Sequence, residues 1–134
     1  MEITHTIYLG ELRTESTHVR SGEKLVTDAP PDNQGKGESY SPTDLLATSL
    51  GTCMLTVMGI AARTHNINMD GTKIKVTKVM APNPRRVSEV HIVFDMPANN
   101  YSDKEKSILE NAAQTCPVAL SVHPDLKQVL EFNY

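Results

Sequence analysis

The stretch from Ser41 to His65 places the tightest constraint on what this chain can fold into. Ser41-Pro42-Thr43-Asp44 is a helix start: a hydroxyl placed to cap, a proline at the first helical position where its missing N–H costs nothing, and an acid placed to reach back to the cap. Leu45, Leu46, Leu50, Cys53, Met54, Val57, Ile60 and Ala61 then recur at helical spacing, and Leu55, Met58 and Ala62 extend the apolar surface around the cylinder. The pattern predicts a helix from Pro42 to about His65 that is buried centrally, with room for a subunit contact. Thr48, Ser49, Gly51, Thr52 and Thr56 interrupt the apolar run, so it reads as the core helix of a soluble protein and not as a membrane span.

The other elements arrange themselves around this helix. Residues 2 to 9 and 12 to 19 carry β-branched and aromatic residues on either side of a Leu-Gly-Glu turn, and Ser21-Gly22-Glu23 separates them from Lys24-Leu25-Val26-Thr27. An antiparallel meander is expected there, followed by a long Pro- and Gly-rich loop from Ala29 to Tyr40. Beyond the helix, strands are expected at Lys73 to Met80 and Val87 to Asp95, joined by Ala81-Pro82-Asn83-Pro84. Ser102-Asp103-Lys104-Glu105 opens a second helix that ends near Thr115, because Pro117 disfavours helical geometry at Cys116. A helical turn over Pro117 to Val122 and a strand over Leu126 to Phe132 complete the order β-β-β-α-β-β-α-β. With 134 residues and no shift in composition, the chain reads as one domain, residues 1–134.

Charge narrows the partners. A net charge of -3, with acids and bases interleaved, offers no positive stripe of the kind that follows phosphates, so nucleic acid is not expected as a partner. The start MEITHTIYLG lacks the basic and continuously apolar segments of a secretory signal, which points to the cytoplasm and to no membrane association. In that reducing compartment two cysteines are catalytic, redox-sensing or inert core residues rather than a permanent staple.

A thiol pair can perform peroxide chemistry: one thiolate attacks a peroxide oxygen and becomes a sulfenic acid, and a second thiol captures it as a disulfide. Cys53 lies about three turns into the helix, where the field of the helix terminus has faded, and taken alone it reads first as a small buried hydrophobe. Cys116 stands at a helix junction before Pro117. Zinc is not expected: the cysteines are 63 positions apart, and His65, His91 and His123 show no compact ligand spacing to either. Gly35-Lys36-Gly37 lacks the ending and context of a phosphate-binding loop, so no nucleotide is expected.

The run Ser41-Pro42-Thr43-Asp44-Leu45-Leu46-Ala47-Thr48-Ser49-Leu50-Gly51-Thr52-Cys53-Met54 resembles the helix motif of the OsmC/Ohr family, the osmotically inducible and organic hydroperoxide resistance proteins. Cys116-Pro117-Val118 resembles that family's second hallmark, and the order of elements agrees over nearly the whole chain. The resemblance implies an α+β fold built as an intertwined homodimer, with long central helices between sheets. It also implies thiol-dependent reduction of organic hydroperoxides, with Cys53 attacking the peroxide, Cys116 resolving, an external thiol or dithiol as reductant, and neither metal nor other cofactor.

In the organic-peroxide branch an arginine in a turn near the second strand holds the reactive thiolate, and Arg20 of Arg20-Ser21-Gly22 is the candidate here. That branch pairs its arginine with a glutamate at the position of Thr43, so this chain departs from the pattern; Asp44 and Glu38 are the candidate replacements. The departure suggests an OsmC-like subgroup and keeps open a second function, a non-catalytic redox sensor or small-ligand-binding protein. Leu46, Leu50 and Met54 are expected to line an apolar pocket, which favours organic substrates.

Overall fold

The computed structural model describes residues 1–134, which form two compact units, Met1–Leu46 and Ala47–Tyr134. In the first, β1 (Thr4–Gly10), β2 (Arg13–His18) and β3 (Lys24–Asp28) make an antiparallel sheet in the order β1-β2-β3. The β1–β2 turn puts two non-glycine residues, Glu11 and Leu12, in the left-handed region at φ 52° and 65°, a conformation that side chains rarely adopt. After β3 a 3₁₀ turn over Pro31–Asn33 folds the loop back on itself, and Gly35 and Gly37 donate to the carbonyls of Pro30 and Ala29. A Cβ at Gly35 would lie 1.7 Å from the Ala29 oxygen, so this close return of the chain admits glycine alone.

The buried residues of this unit are Thr27, Asp28 and Ser41, all polar, while Ile3, Ile7, Tyr8, Leu9 and Leu25 of its sheet region are exposed. A three-stranded sheet buries an apolar face to become stable. Here the first unit holds none of the chain's buried hydrophobic residues.

The second unit is organised by a different sheet, β4 (Lys73–Ala81), β5 (Arg86–Asp95) and β6 (Lys127–Asn133), in the order β4-β5-β6. β4 and β5 are antiparallel, as their short connection requires, whereas β5 and β6 are parallel, a pairing that needs a crossover. The crossover contains α2 (Asp103–Gln114) and the short α3 (Pro117–Ser121). Val90, Ile92 and Phe94 alternate as the buried face of β5, and Phe94 stacks on Phe132 of β6 with ring centroids 4.5 Å apart.

Helix α1 (Pro42–Thr64) begins as the residues of its first turn direct: the Asp44 N–H donates to the Ser41 hydroxyl at 3.0 Å, and the Ser41 N–H donates to the Asp44 carboxylate at 2.9 Å. Within the second unit it buries Ala47, Leu50, Gly51, Met54, Met58 and Ala62, a single stripe at helical spacing. It rides close on β4: a Cβ at Gly51 would meet Ile74 Cδ1 at 2.8 Å and Val76 Cγ2 at 3.1 Å. By length and composition α1 could cross a membrane, but this stripe belongs to the same hydrophobic core as Val90, Ile92, Phe94 and Leu109, which makes it a core helix. The apolar residues off the stripe are less covered; Ile60 is exposed and Val57 and Ala61 are half-buried.

The order of strands and helices matches the sequence expectation, with α3 as the additional helical turn after Cys116. One expectation is corrected. Leu50 and Met54 do not line a pocket; both have no exposed surface and fill the core. Their spacing identified an apolar face without distinguishing a cavity wall from packed interior.

Candidate active site

Cys116 owes its position to the residue that follows it. Pro117 excludes helical geometry one residue earlier, so Cys116 is extended at φ -69° and ψ 149° and breaks the chain between α2 and α3. Pro117 then occupies the first position of α3 and has no N–H of its own. The nearest free amides face back toward Cys116, and the Ala119 N–H donates to Cys116 Sγ at 3.3 Å. The sulfur thus acts as the helix cap that a serine or aspartate oxygen usually provides.

Cys116 is completely buried, and this burial pushes its thiol pKa up. The Ala119 N–H opposes the shift by favouring the thiolate, while the neighbouring Cys53 adds to it. Cys53 approaches from α1, is half-buried, and packs against the core that encloses Cys116. Both are free thiols. Residues 63 positions apart in sequence therefore form one interacting pair with unequal access to solvent.

The Ala119 peptide is itself anchored. Its carbonyl accepts from Gln128 Nε2 of β6 at 3.1 Å. Sequence reasoning missed Gln128, although a signal was present: Gln128, Leu130 and Phe132 share one face of β6, and a glutamine interrupts that apolar series.

The N-terminal unit fixes the local surroundings of Arg20, Glu38 and Asp44. Arg20 stands exposed in the turn between β2 and β3. Glu38 binds Arg13, with Arg13 Nη2 donating to Glu38 Oε2 at 2.9 Å, and Asp44 closes the cap of α1. Arg13 also donates Nε to Asp28 Oδ1 at 2.7 Å and Nη2 to Asp28 Oδ2 at 2.8 Å. Asp28 is buried, and the Arg13 guanidinium holds its carboxyl below the usual aspartate value. The register carries the signal that was overlooked: Thr17 faces Lys24 beside the turn, and Arg13 faces Asp28 four residues further along both strands.

Two of the three histidines considered as ligands, His91 and His123, have acidic neighbours. His91 pairs with Glu89 and His123 with Asp125, and no three His, Cys, Asp or Glu side chains gather as a metal site.

Residues 35–130 match the family model described as OsmC-like protein, a span that holds both cysteines and most of the chain. The chain belongs to the OsmC-like family. A crystal structure from Psychrobacter arcticus, described as an osmotic stress induced and detoxification response protein, is 53% identical with a TM-score of 0.95, covering 99% of this chain and 96% of that one. The OsmC fold recurs in an organic hydroperoxide resistance protein OsmC from Legionella pneumophila, 14% identical with a TM-score of 0.76 over 100% of this chain and 98% of that one. It recurs also in an OsmC-like protein of unknown function from Vibrio cholerae, 14% identical with a TM-score of 0.80 over 99% of this chain and 100% of that one. No curated protein matches the sequence. The matched OsmC-like region begins in the loop before α1, so the strand residues Arg13 and Asp28 and the turn residue Arg20 lie outside it.

Proposed function

We propose that this OsmC-like protein is a thiol-dependent hydroperoxide reductase, with Cys53 as the attacking thiol and Cys116 as the resolving one. The observation that carries the reading is the asymmetry of the pair: Cys53 is partly open to solvent, Cys116 is sealed, and the two interact. A substrate reaches the first more readily than the second. The rise in the Cys116 thiol pKa keeps it protonated while Cys53 reacts.

The Cys53 thiolate attacks one peroxide oxygen, the O–O bond breaks, and the alkoxide takes up a proton and leaves as the alcohol. Cys53 is then a sulfenic acid. The Cys116 sulfur attacks the Cys53 sulfur, the S–O bond breaks, and hydroxide leaves as water with the proton that Cys116 gives up. An external thiol or dithiol reduces the resulting disulfide with two electrons. Arg20 keeps the thiolate-stabilising role that the resemblance implies, and Arg20→Ala then slows the first oxidation step.

The working form we propose is a cytoplasmic homodimer. Support comes from the N-terminal sheet, whose exposed Ile7, Tyr8, Leu9 and Leu25 have no apolar core within their own unit. A second copy of the chain would cover such residues, and stability would then depend on protomer concentration. A sedimentation profile showing a folded monomer at micromolar concentration overturns this part.

Reduced protein treated with one equivalent of cumene hydroperoxide tests the chemistry by intact mass and peptide mapping. The expected product has lost two hydrogen atoms, their two electrons having passed to the peroxide, and carries a Cys53–Cys116 link; unchanged thiols overturn the proposal. Hydrogen peroxide at matched concentration tests the preference for organic substrates that the family resemblance implies, which is sunk if it reacts faster.

A second reading, a redox sensor without sustained turnover, is favoured by one observation. Thr43 replaces the expected glutamate, Asp44 serves the α1 cap and Glu38 binds Arg13. A single oxidation that a dithiol reverses without repeated peroxide consumption would support that reading over the first.

A further inference from the structure

Resolution requires Cys116 to present its sulfur to Cys53 from inside a closed core, and a peptide group sets where that sulfur sits. The Ala119 N–H donates to Cys116 Sγ at 3.3 Å, while the Ala119 carbonyl accepts from Gln128 Nε2 at 3.1 Å. Helix α3 has five residues, too few for a helix to persist without outside support. Gln128 gives that support from the sheet. It lies opposite the buried Val90 in the β5–β6 register, on the face it shares with the core-packed Leu130 and Phe132. An apolar residue would suit that face better unless the amide has a task, because a half-buried polar group needs its hydrogen bond.

We infer that Gln128 is a positioning residue for the resolving thiol: its side-chain amide fixes the Ala119 peptide, and that peptide fixes the Cys116 sulfur. The inference rests on the thiol chemistry proposed above. In the step concerned, the S–S bond between Cys116 and Cys53 forms as the S–O bond of the Cys53 sulfenic acid breaks. The departing hydroxide and the Cys116 proton leave together as water. Gln128 touches neither sulfur in this scheme; it acts through Ala119.

Gln128→Leu removes the donor at similar volume, and Gln128→Met does so with an unbranched chain if the first variant folds poorly. After one equivalent of cumene hydroperoxide, closure of the disulfide is expected to slow by up to roughly tenfold, the equivalent of one lost hydrogen bond passed on through the Ala119 peptide. Oxidation of Cys53, read by trapping the sulfenic acid with a dimedone-type nucleophile, keeps its rate. A merely structural defect would slow both steps together.

A second readout does not depend on peroxide chemistry. In the Cys53→Ser protein, the ultraviolet absorbance of the Cys116 thiolate is titrated with and without Gln128→Leu. The midpoint is expected to move up, because a less well held Ala119 N–H stabilises the thiolate less. An unchanged midpoint overturns the inference even if Cys53 and Cys116 are a working pair. A shifted midpoint in a protein whose thiols ignore peroxide would sustain the positioning and overturn the proposed activity instead.

Discussion

Arg13 grips Asp28 through two parallel hydrogen bonds, at 2.7 and 2.8 Å, between residues that face each other in the β2–β3 register. Asp28 is buried, and its own carboxylate accepts the Glu38 N–H at 3.1 Å, so the pair ties the loop after β3 to the sheet. Arg13→Ala leaves a buried carboxylate without its counter-charge, and the expected outcome is loss of amide protection in β2, β3 and the loop, measured by hydrogen exchange.

The same pair sets an acid limit. Arg13 lowers the Asp28 pKa, so the stability it contributes is complete above the ordinary aspartate value of 3.8 and is lost as pH falls through the lower folded value. Denaturation midpoints measured against pH should show this loss below 3.8 in the parent protein. In Asp28→Asn that part of the acid dependence should be missing.

The thiols should separate by variant. Cys53→Ser is expected to abolish peroxide consumption. Cys116→Ser keeps a capping oxygen at the start of α3, so it should fold, consume one equivalent of peroxide and stop at a trapped sulfenic acid. Equal activity in both variants would exclude the assigned roles. Cys116→Ala, which removes the cap as well, should be the less stable of the two substitutions at that position by about 1 kcal/mol in urea denaturation.

Burial of Cys116 has an alkaline consequence. Its folded pKa is raised above the ordinary thiol value of 9.0, so the neutral thiol contributes stability below that value, and the contribution is lost as pH climbs through it toward the folded value. Thermal melts above pH 9.0 should fall more steeply in the parent than in Cys116→Ser.

Leu50 and Gly51 report on the fit between α1 and the second sheet. Leu50→Ala empties a fully buried position and should cost about 3 kcal/mol in urea denaturation. Gly51→Val places new atoms where Ile74 and Val76 already stand, and overpacking of about 1–3 kcal/mol is expected despite the better helix former. A neutral result for Gly51→Val would show that α1 can move off β4.

What the sequence by itself determined is local. Ser41 with Asp44 and Ser102 with Glu105 close caps that involve residues three apart, and Pro117 dictates the extended backbone of Cys116 beside it. Such interactions need no distant partner, so the order of elements and the helix starts were legible, and the two motifs around Cys53 and Cys116 carried the family. Only the tertiary structure decided the rest. It brought Cys53 and Cys116 together with unequal exposure, gave Glu38 to Arg13, and put Leu50 and Met54 in the core. The reason is physical: burial and ion pairing depend on which distant segments meet, whereas apolar spacing along a helix records only which face avoids water.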